Sequence, residues 1–304
     1  MKQTQTYECK NFMEVQAATE HLCGAREVAL QMDDAGVIKP VENFKGVYNS
    51  TRGEFCAAVV KGYNVISHKT YFDGFAEAMN RLNMPFKMTI KEQGNQAFAD
   101  VEFVGRNIKF DKLNEEFLTG IRLTNSYNKI QGLGVIPRFT RLACLNGMIV
   151  TRAETTFSIR HHSKMATEIE IFIEKKLNNI INRDQQLQFW VSESMSDSIE
   201  WKAVTSILQK LFAQAKHREE ILKRLGITVI EKKKGHKVIG FDYVWETGKE
   251  RKTVDRWTIY NCVTQYLTHG EHITPHIESA LHRQAEKLLT TPYSELMKGI
   301  EVTI

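Results

Sequence analysis

The sequence predicts an α+β fold, with a mostly antiparallel sheet and a long packed helix, followed by a mainly helical C-terminal region. Polar and apolar residues alternate in several segments of the first half, which is typical of half-buried strands. In the second half, apolar residues recur at helical spacing over longer segments. Strands that come before the helices, instead of alternating with them, favour α+β over α/β.

The order of elements predicts three regions. Residues 1–50 show little periodicity and predict an N-terminal arm with a short helix or strand, which either packs or reaches a neighbouring subunit. Residues 51–190 predict an α+β core with a basic sheet face. Residues 191–304 predict a mainly helical region with a short basic hairpin.

The first core elements are a strand pair and a helix. The pattern of residues 54–66 indicates a strand, a turn and a second strand. Residues 68–83 carry apolar residues at helical spacing, and Pro85 ends this helix because a proline cannot continue it.

A β-hairpin follows the helix. Residues 86–92 and 97–104 alternate around Gly94-Asn95, a pair typical of tight turns. Lysines on the first strand are expected to pair across the hairpin with acids on the second; these are Lys87, Lys91, Asp100 and Glu102.

The remaining elements are predicted with less local detail. Further strands are expected at residues 118–128, 130–137 and 151–160, whereas 139–149 fits either a strand or a short helix. The C-terminal half predicts helices at 163–186, 196–225 and 253–268, a hairpin at 227–243, and a last helix that begins at Thr274-Pro275.

The composition is that of an ordinary folded protein. Of 304 residues, 42% are hydrophobic and 25% are charged, and the net charge of +5 does not by itself indicate a nucleic-acid partner. The five cysteines are scattered without a Cys-x-x-Cys pair, which argues against a disulfide framework or a structural zinc site. Neither a signal peptide nor a membrane-spanning apolar run is found, so we expect a cytoplasmic protein without membrane contact.

The motif search reveals no catalytic set. The sequence has neither a P-loop nor a Gly-x-Ser-x-Gly, and Pro137 stands where a dinucleotide fingerprint opened by Gly132 and Gly134 needs its third glycine. His269 and His272 do not have the spacing of a metalloprotease. We therefore predict no catalytic residue, no metal and no cofactor.

Residues 121–166 form a basic segment whose only acid is Glu154. Neighbouring strands usually pair, so their outward cations are expected to share one positive sheet face, and phosphates are the usual partners of such a face. Tyr127 is predicted to stack on an unpaired base. The cations predicted to hold phosphates are Lys129, Arg138, Arg141, Arg152, Arg160 and Lys164.

An alternative interpretation of this segment stays open. Its cations would instead pair with acids from other segments, such as Glu115, Glu116 or Asp184, and Tyr127 and Phe139 would belong to the core. A second basic patch at 232–237 is diluted by nearby acids and is interpreted as a solvated hairpin.

Three sequence blocks resemble the family named domain of unknown function 932. They are 59-VVKGYNVISHKTYFDGFAEAM-79, 123-LTNSYNKIQGLGVIPRFTRLACLNGM-148 and 256-RWTIYNCVTQYLTHGE-271. The middle block is the most specific, since it resembles the family's Asn-Ser-(His/Tyr)-(Asp/Asn) turn followed by Arg-x-x-Cys-x-Asn. It departs from the family at Tyr127, Asn128 and Leu145, where His, Asp and Thr are common.

The resemblance implies a protein of a phage or another mobile element. The order of elements also resembles the ring-forming single-strand annealing recombinases, which implies a homo-oligomeric ring or filament that binds single-stranded DNA and anneals complementary strands without nucleotide hydrolysis. For a phage protein the location would be the host cytoplasm. Two alternatives remain: an enzyme acting on a phosphate-containing substrate, and a structural or virion interaction protein.

Overall fold

A computed structural model describes residues 5–110, 115–141, 147–149, 157–159, 171, 173, 175, 184–234, 237–248, 251–270 and 275–300. These residues confirm the α+β class, with antiparallel sheets in the N-terminal half and more helices in the C-terminal part. The chain divides into two compact units. The first comprises 1–109, 116–140 and 150–182, and the second comprises 110–115, 141–149 and 183–304. The prediction placed its boundary at 190 and set residues 1–50 apart.

The main sheet of the first unit contains the predicted hairpin. Its strands run in the spatial order β1 (Gln5–Cys9), β5 (Phe86–Gln93), β6 (Gln96–Phe110), β7 (Glu115–Ser126), β8 (Leu133–Arg141) and β10 (Phe157–Ile159). In the hairpin, Lys87 lies opposite Glu102 as expected, whereas Asp100 lies opposite Thr89. Because side chains alternate along a strand, one face of this sheet is apolar and the other carries the charges.

Two helices cover the apolar face of the main sheet. Helix α1 (Phe12–Thr19) begins after Asn11, and α2 (His68–Arg81) begins after Ser67; each of these caps accepts a backbone N–H of the first turn. The helical spacing predicted for α2 is confirmed, because its Tyr71, Phe72, Phe75 and Met79 side chains are fully buried. Each large apolar side chain removed from water stabilises the fold by about 1.5–3 kcal/mol.

A three-stranded antiparallel sheet occupies most of the predicted N-terminal arm. It consists of β2 (Ala25–Asp34), β3 (Val37–Asn49) and β4 (Glu54–Val60). Its inner face packs through Val47 and Val59 against Tyr127 of the main sheet. The expectation of only a short helix or strand in 1–50 was therefore wrong, and the second strand expected within 54–66 is absent after Val60.

The second unit is mainly helical. Its helices are α3 (Asp184–Ser196), α4 (Trp201–Leu211), α5 (Ala215–Arg224), α6 (Arg256–His269), α7 (Pro275–Thr290) and α8 (Tyr293–Leu296). Its strands are β9 (Gly147–Ile149), the short pair β11 (Ser198–Glu200) and β14 (Thr253–Asp255), and the predicted basic hairpin β12 (Ile227–Lys234) and β13 (Lys237–Trp245). None of the described helices is long and apolar enough to cross a membrane.

The single helix expected over 196–225 is two helices. Phe212, which ends α4, adopts an extended backbone and is buried. Arg218 of α5 donates to the Phe212 and Ala213 carbonyls, both at 2.7 Å, and so satisfies carbonyls that the break leaves open. Gly226 ends α5 as predicted, with φ of 84°.

Other predictions fall largely outside the described residues. Of the helix expected over 163–186, only residues 171, 173 and 175 are described, and they are helical. Of the strand expected over 151–160, β10 is described and confirmed. The ambiguous segment 139–149 begins as the end of β8 and finishes as β9.

Candidate nucleic-acid interface

The predicted basic face contains a buried ion pair. Arg122 on β7 is 3% exposed and forms two hydrogen bonds with Asp100 on β6, at 2.6 Å from Nε and 2.8 Å from Nη2. A paired guanidinium and carboxylate of this geometry make strong, charge-assisted hydrogen bonds. Arg122 is therefore neutralised inside the fold and does not add to a free positive surface.

Arg138 joins the same cluster, and this corrects its predicted role. Its Nε lies 3.4 Å from the Asp100 carboxylate, its Nη1 lies 3.8 Å from Glu102, and Nη1 donates to Thr140 at 2.8 Å. The Arg138 side chain is only 11% exposed. Since two carboxylates neutralise Arg138 and little of it meets solvent, it is not the uncompensated phosphate ligand that the sequence predicted.

The charges of this cluster hold one another ionised. Burial alone would raise the pKa of Asp100, but Arg122 and then Arg138 lower that pKa well below its usual range. The Asp100 carboxylate consequently stays charged at every physiological pH. The cluster thus belongs to the structure of the sheet.

Tyr127 is a core residue, which corrects the prediction that it stacks on a base. Its ring is 1% exposed and lies parallel to the His68 ring at 4.0 Å between centroids. Its hydroxyl donates to the Cys23 carbonyl and accepts the His68 backbone N–H, both at 2.9 Å. Burial raises the pKa of the Tyr127 hydroxyl above its usual range. This ring offers no open face to a nucleotide.

Lys129 remains a candidate. It is exposed in the turn between β7 and β8, and its Nζ donates to the Ala58 carbonyl on β4 at 3.1 Å. An ammonium carries three donors, so this bond leaves two for a phosphate. The side chain of Arg141 and all of Arg152, Arg160 and Lys164 lie outside the described residues, and their predicted role stays a prediction.

A buried polar network lies beside Tyr127. The Glu92 carboxylate is 1% exposed and accepts the Cys23 backbone N–H at 2.7 Å and its thiol at 3.2 Å. Arg52 donates from Nε to the Cys23 sulfur at 3.1 Å, and its Nη2 lies 4.0 Å from Glu92. Burial raises the pKa of both Glu92 and Cys23. A protonated, enclosed thiol is a poor nucleophile, so this network ties the two sheets together and does not indicate catalysis.

The outer face of the three-stranded sheet carries exposed aromatic rings that sequence analysis missed. Arg26, Tyr48 and Phe55 lie side by side across its three strands, and Phe44 lies opposite Val60. Phe44 is 47% exposed and Phe55 is 56% exposed. The Arg26 guanidinium lies 5.3 Å from the centre of the Tyr48 ring. We call these five residues the outer face.

A glycine separates the two exposed rings of the outer face. Gly46 lies on the same side of β3, two residues from Phe44 and two from Tyr48. A Cβ at Gly46 would come within 2.7 Å of Val28 and 2.9 Å of Phe55, so these side chains lean over the gap. Alternating Phe44, Gly46 and Tyr48 is the one signal in the sequence that indicates this face.

The second basic patch fits the solvated hairpin that was expected. Lys232 pairs with Asp242 across β12 and β13 at 2.7 Å, and both side chains are more than half exposed. Such a pair contributes little to stability and leaves little net charge for a partner. Among the described residues, no group of three or more His, Cys, Asp and Glu side chains is placed to hold a metal ion.

The family model of DUF932, a domain of unknown function, matches residues 56–290. The chain belongs to the DUF932 family. No curated protein and no solved structure matches it. The DUF932 match begins within β4, so Arg26, Phe44 and Tyr48 lie before the matched range.

Two of the blocks that resemble DUF932 meet in the buried network. Asn125 of the middle block donates to the Ile66 carbonyl of the first block at 3.0 Å, and Tyr127 contacts His68. Ser126 closes its own turn, because its hydroxyl donates to the Gln131 carbonyl at 2.6 Å and accepts the Gln131 backbone N–H at 2.9 Å. These polar side chains therefore build the fold of this DUF932 domain.

Proposed function

We propose that this DUF932 protein binds single-stranded DNA on its outer face and promotes the annealing of complementary strands, in a phage or another mobile element. The observation that carries the proposal is the pair of exposed rings, Phe44 and Phe55, with Arg26 in the same sheet. Exposed aromatic rings beside cations suit a single strand, because bases stack on the rings and phosphates meet the cations.

The surroundings of the outer face support this proposal. Lys129 reaches the backbone of β4 at Ala58, next to the outer face, and the exposed Lys61 follows Val60 directly. Glu27, at an inner-face position on β2, is paired with Lys45 at 2.7 Å. Arg26, Lys61 and Lys129 therefore give the neighbourhood of the rings a positive character.

The chemistry of stacking accounts for annealing without an energy source. A base that lies flat on Phe44 or Phe55 is held by its face, so its hydrogen-bonding edge stays available to a complementary strand. Stacking contributes about 1–3 kcal/mol per base and depends little on sequence. Such binding is strong enough to extend a strand and reversible enough to release a finished duplex.

Fluorescence anisotropy of a labelled oligonucleotide tests the binding step. Phe44→Ala and Phe55→Ala should each weaken affinity about 5- to 150-fold, the equivalent of about 1–3 kcal/mol. Phe189→Ala is the matched control, because Phe189 is 59% exposed on α3 in the second unit. Equal affinities for all three variants and the wild type would remove the outer face from the proposal.

An annealing assay tests the rest of the function. Two complementary strands labelled as a fluorescence donor and acceptor should pair faster with the protein than without it, in the absence of any nucleotide. Phe55→Ala should lose most of that acceleration, and Phe189→Ala should keep it. Tight self-assembly without any DNA binding would instead favour a structural protein of the virion.

A further inference from the structure

The hairpin formed by β2 and β3 ends in an apolar tip. Every residue from 31 to 40, which we call the arm tip, is exposed. Its Met32, Val37 and Ile38 side chains are 51%, 56% and 68% exposed. A two-stranded ribbon with no third strand and no cover is only marginally stable in water. The arm tip therefore presents apolar surface that a partner would stabilise.

An apolar groove lies elsewhere in the same unit. It runs between the start of α1, the end of α2 and the start of β5, and has a volume of about 480 Å³. Phe12, Met79, Met84, Pro85 and Phe86 supply its apolar surface. This volume lies within the range of about 300–1,000 Å³ that accommodates a small ligand, so several side chains fit.

The groove and the arm tip carry opposite charges. The arm tip has Asp33 and Asp34 beside its turn, both exposed. Lys10 lines the groove, and the exposed Lys87 follows Phe86 directly. The nearby Glu14 carboxylate is already held by the Lys10 backbone N–H and the Asn11 amide, both at 2.7 Å. A basic rim around an apolar floor thus complements an acidic tip with apolar side chains.

We infer that the arm tip of one copy of this chain docks into the groove of a second copy. The two surfaces are different parts of the molecule, so the contact is head-to-tail and repeats from copy to copy, giving a ring or an open filament. The acids at the tip repel a nucleic acid, which makes a second copy the fitting occupant. The inference deepens the oligomer that annealing would use and rests on the proposed function only in that respect.

Sedimentation velocity of the full chain without DNA tests this contact. The wild type should form species larger than a dimer as concentration rises. Ile38→Glu in the arm tip and Met84→Glu in the groove should each sediment as a 35.0 kDa monomer. Phe189→Glu, which adds the same charge at an exposed apolar position outside both surfaces, should assemble like the wild type.

Mixing the two defective variants gives the decisive result. Ile38→Glu keeps an intact groove and Met84→Glu keeps an intact arm tip, so a mixture should yield a 1:1 dimer that neither variant forms alone. A variant that merely misfolds cannot complement the other. A monomeric wild type, a wild type that stops at a dimer, or a mixture that stays monomeric would each overturn the inference. DNA is absent throughout, so failure here is distinct from failure of the outer face to bind DNA.

Discussion

The Asp100 carboxylate receives two hydrogen bonds from Arg122, at 2.6 and 2.8 Å, inside the sheet that was expected to present unpaired cations. Arg138 approaches the same carboxylate at 3.4 Å. One acid from the hairpin thus serves two arginines from the basic segment. The positive surface that remains in the described residues lies at Lys129 and on the outer face.

Asp100→Asn should lower the free energy of unfolding by about 3–5 kcal/mol, because it leaves buried arginines without their main counterion. Urea unfolding at neutral pH measures this loss. The control is Asp242→Asn, whose partner Lys232 is more than half exposed. That variant should change stability by less than about 1 kcal/mol. Equal effects of the two substitutions would contradict the structural role of the cluster.

The stability of the protein should depend on Asp100 at acid pH. Because the arginines lower the pKa of Asp100 in the folded state, the pair contributes its full stabilisation above the unfolded value of about 3.9. That contribution is lost as the pH falls through the lower folded value. Urea unfolding from neutral pH to about pH 3 should show the difference between wild type and Asp100→Asn shrinking below about pH 4. A constant difference would show that the pKa is not lowered.

Tyr127→Phe should destabilise the protein by about 1–3 kcal/mol without changing DNA affinity, because it removes the group that bridges His68 and Cys23. Thermal or urea unfolding measures the first effect, and anisotropy measures the second. Tyr293→Phe is the control, since that hydroxyl is 37% exposed and makes one bond of 3.3 Å. A loss of DNA affinity at unchanged stability would restore the base-stacking role that the sequence suggested.

The differences between prediction and structure have physical causes. The 86–110 hairpin was predictable because alternation and a Gly-Asn turn are local signals. The pairing of Asp100 with Arg122 depends on the register between β6 and β7, which one sequence does not display. The β2 and β3 strands escaped because both faces of the arm tip are exposed, so no alternation marks them.

The candidate site shows the same limit. Charge density in 121–166 correctly drew attention to Lys129, which is exposed, but it could not separate it from Arg138, which tertiary contacts neutralise. The outer face was missed because its rings, such as Phe44 and Phe55, come from strands that only the fold brings side by side.

Gly120→Ala should destabilise the main sheet by about 3 kcal/mol or more. A Cβ at Gly120 would lie 1.9 Å from the Val101 carbonyl oxygen, and because this neighbour is backbone, β6 and β7 would have to separate. Gly62→Ala is the control, since a Cβ there meets nothing within 4 Å. Urea unfolding of both variants decides the matter: similar midpoints would show that the strands do not approach this closely.

Lys129→Asn should weaken single-stranded DNA binding and make it less sensitive to salt. Each phosphate contact contributes about 0.7 to the slope of log affinity against log salt concentration, so losing one cation should reduce the slope by about that amount. Lys129 has a φ of 64°, a backbone conformation that asparagine adopts more readily than lysine, so stability should not fall. Weaker binding would then reflect the lost charge and not unfolding.

Anisotropy titrations at several salt concentrations measure both quantities for Lys129→Asn. Lys202→Asn is the control, because Lys202 is an exposed cation on α4 in the second unit. Its slope should equal that of the wild type if phosphates meet the surface around Lys129 and the outer face. Equal losses for the two variants would mean that DNA responds only to the net charge of the protein, and the outer face would then have no specific part in binding.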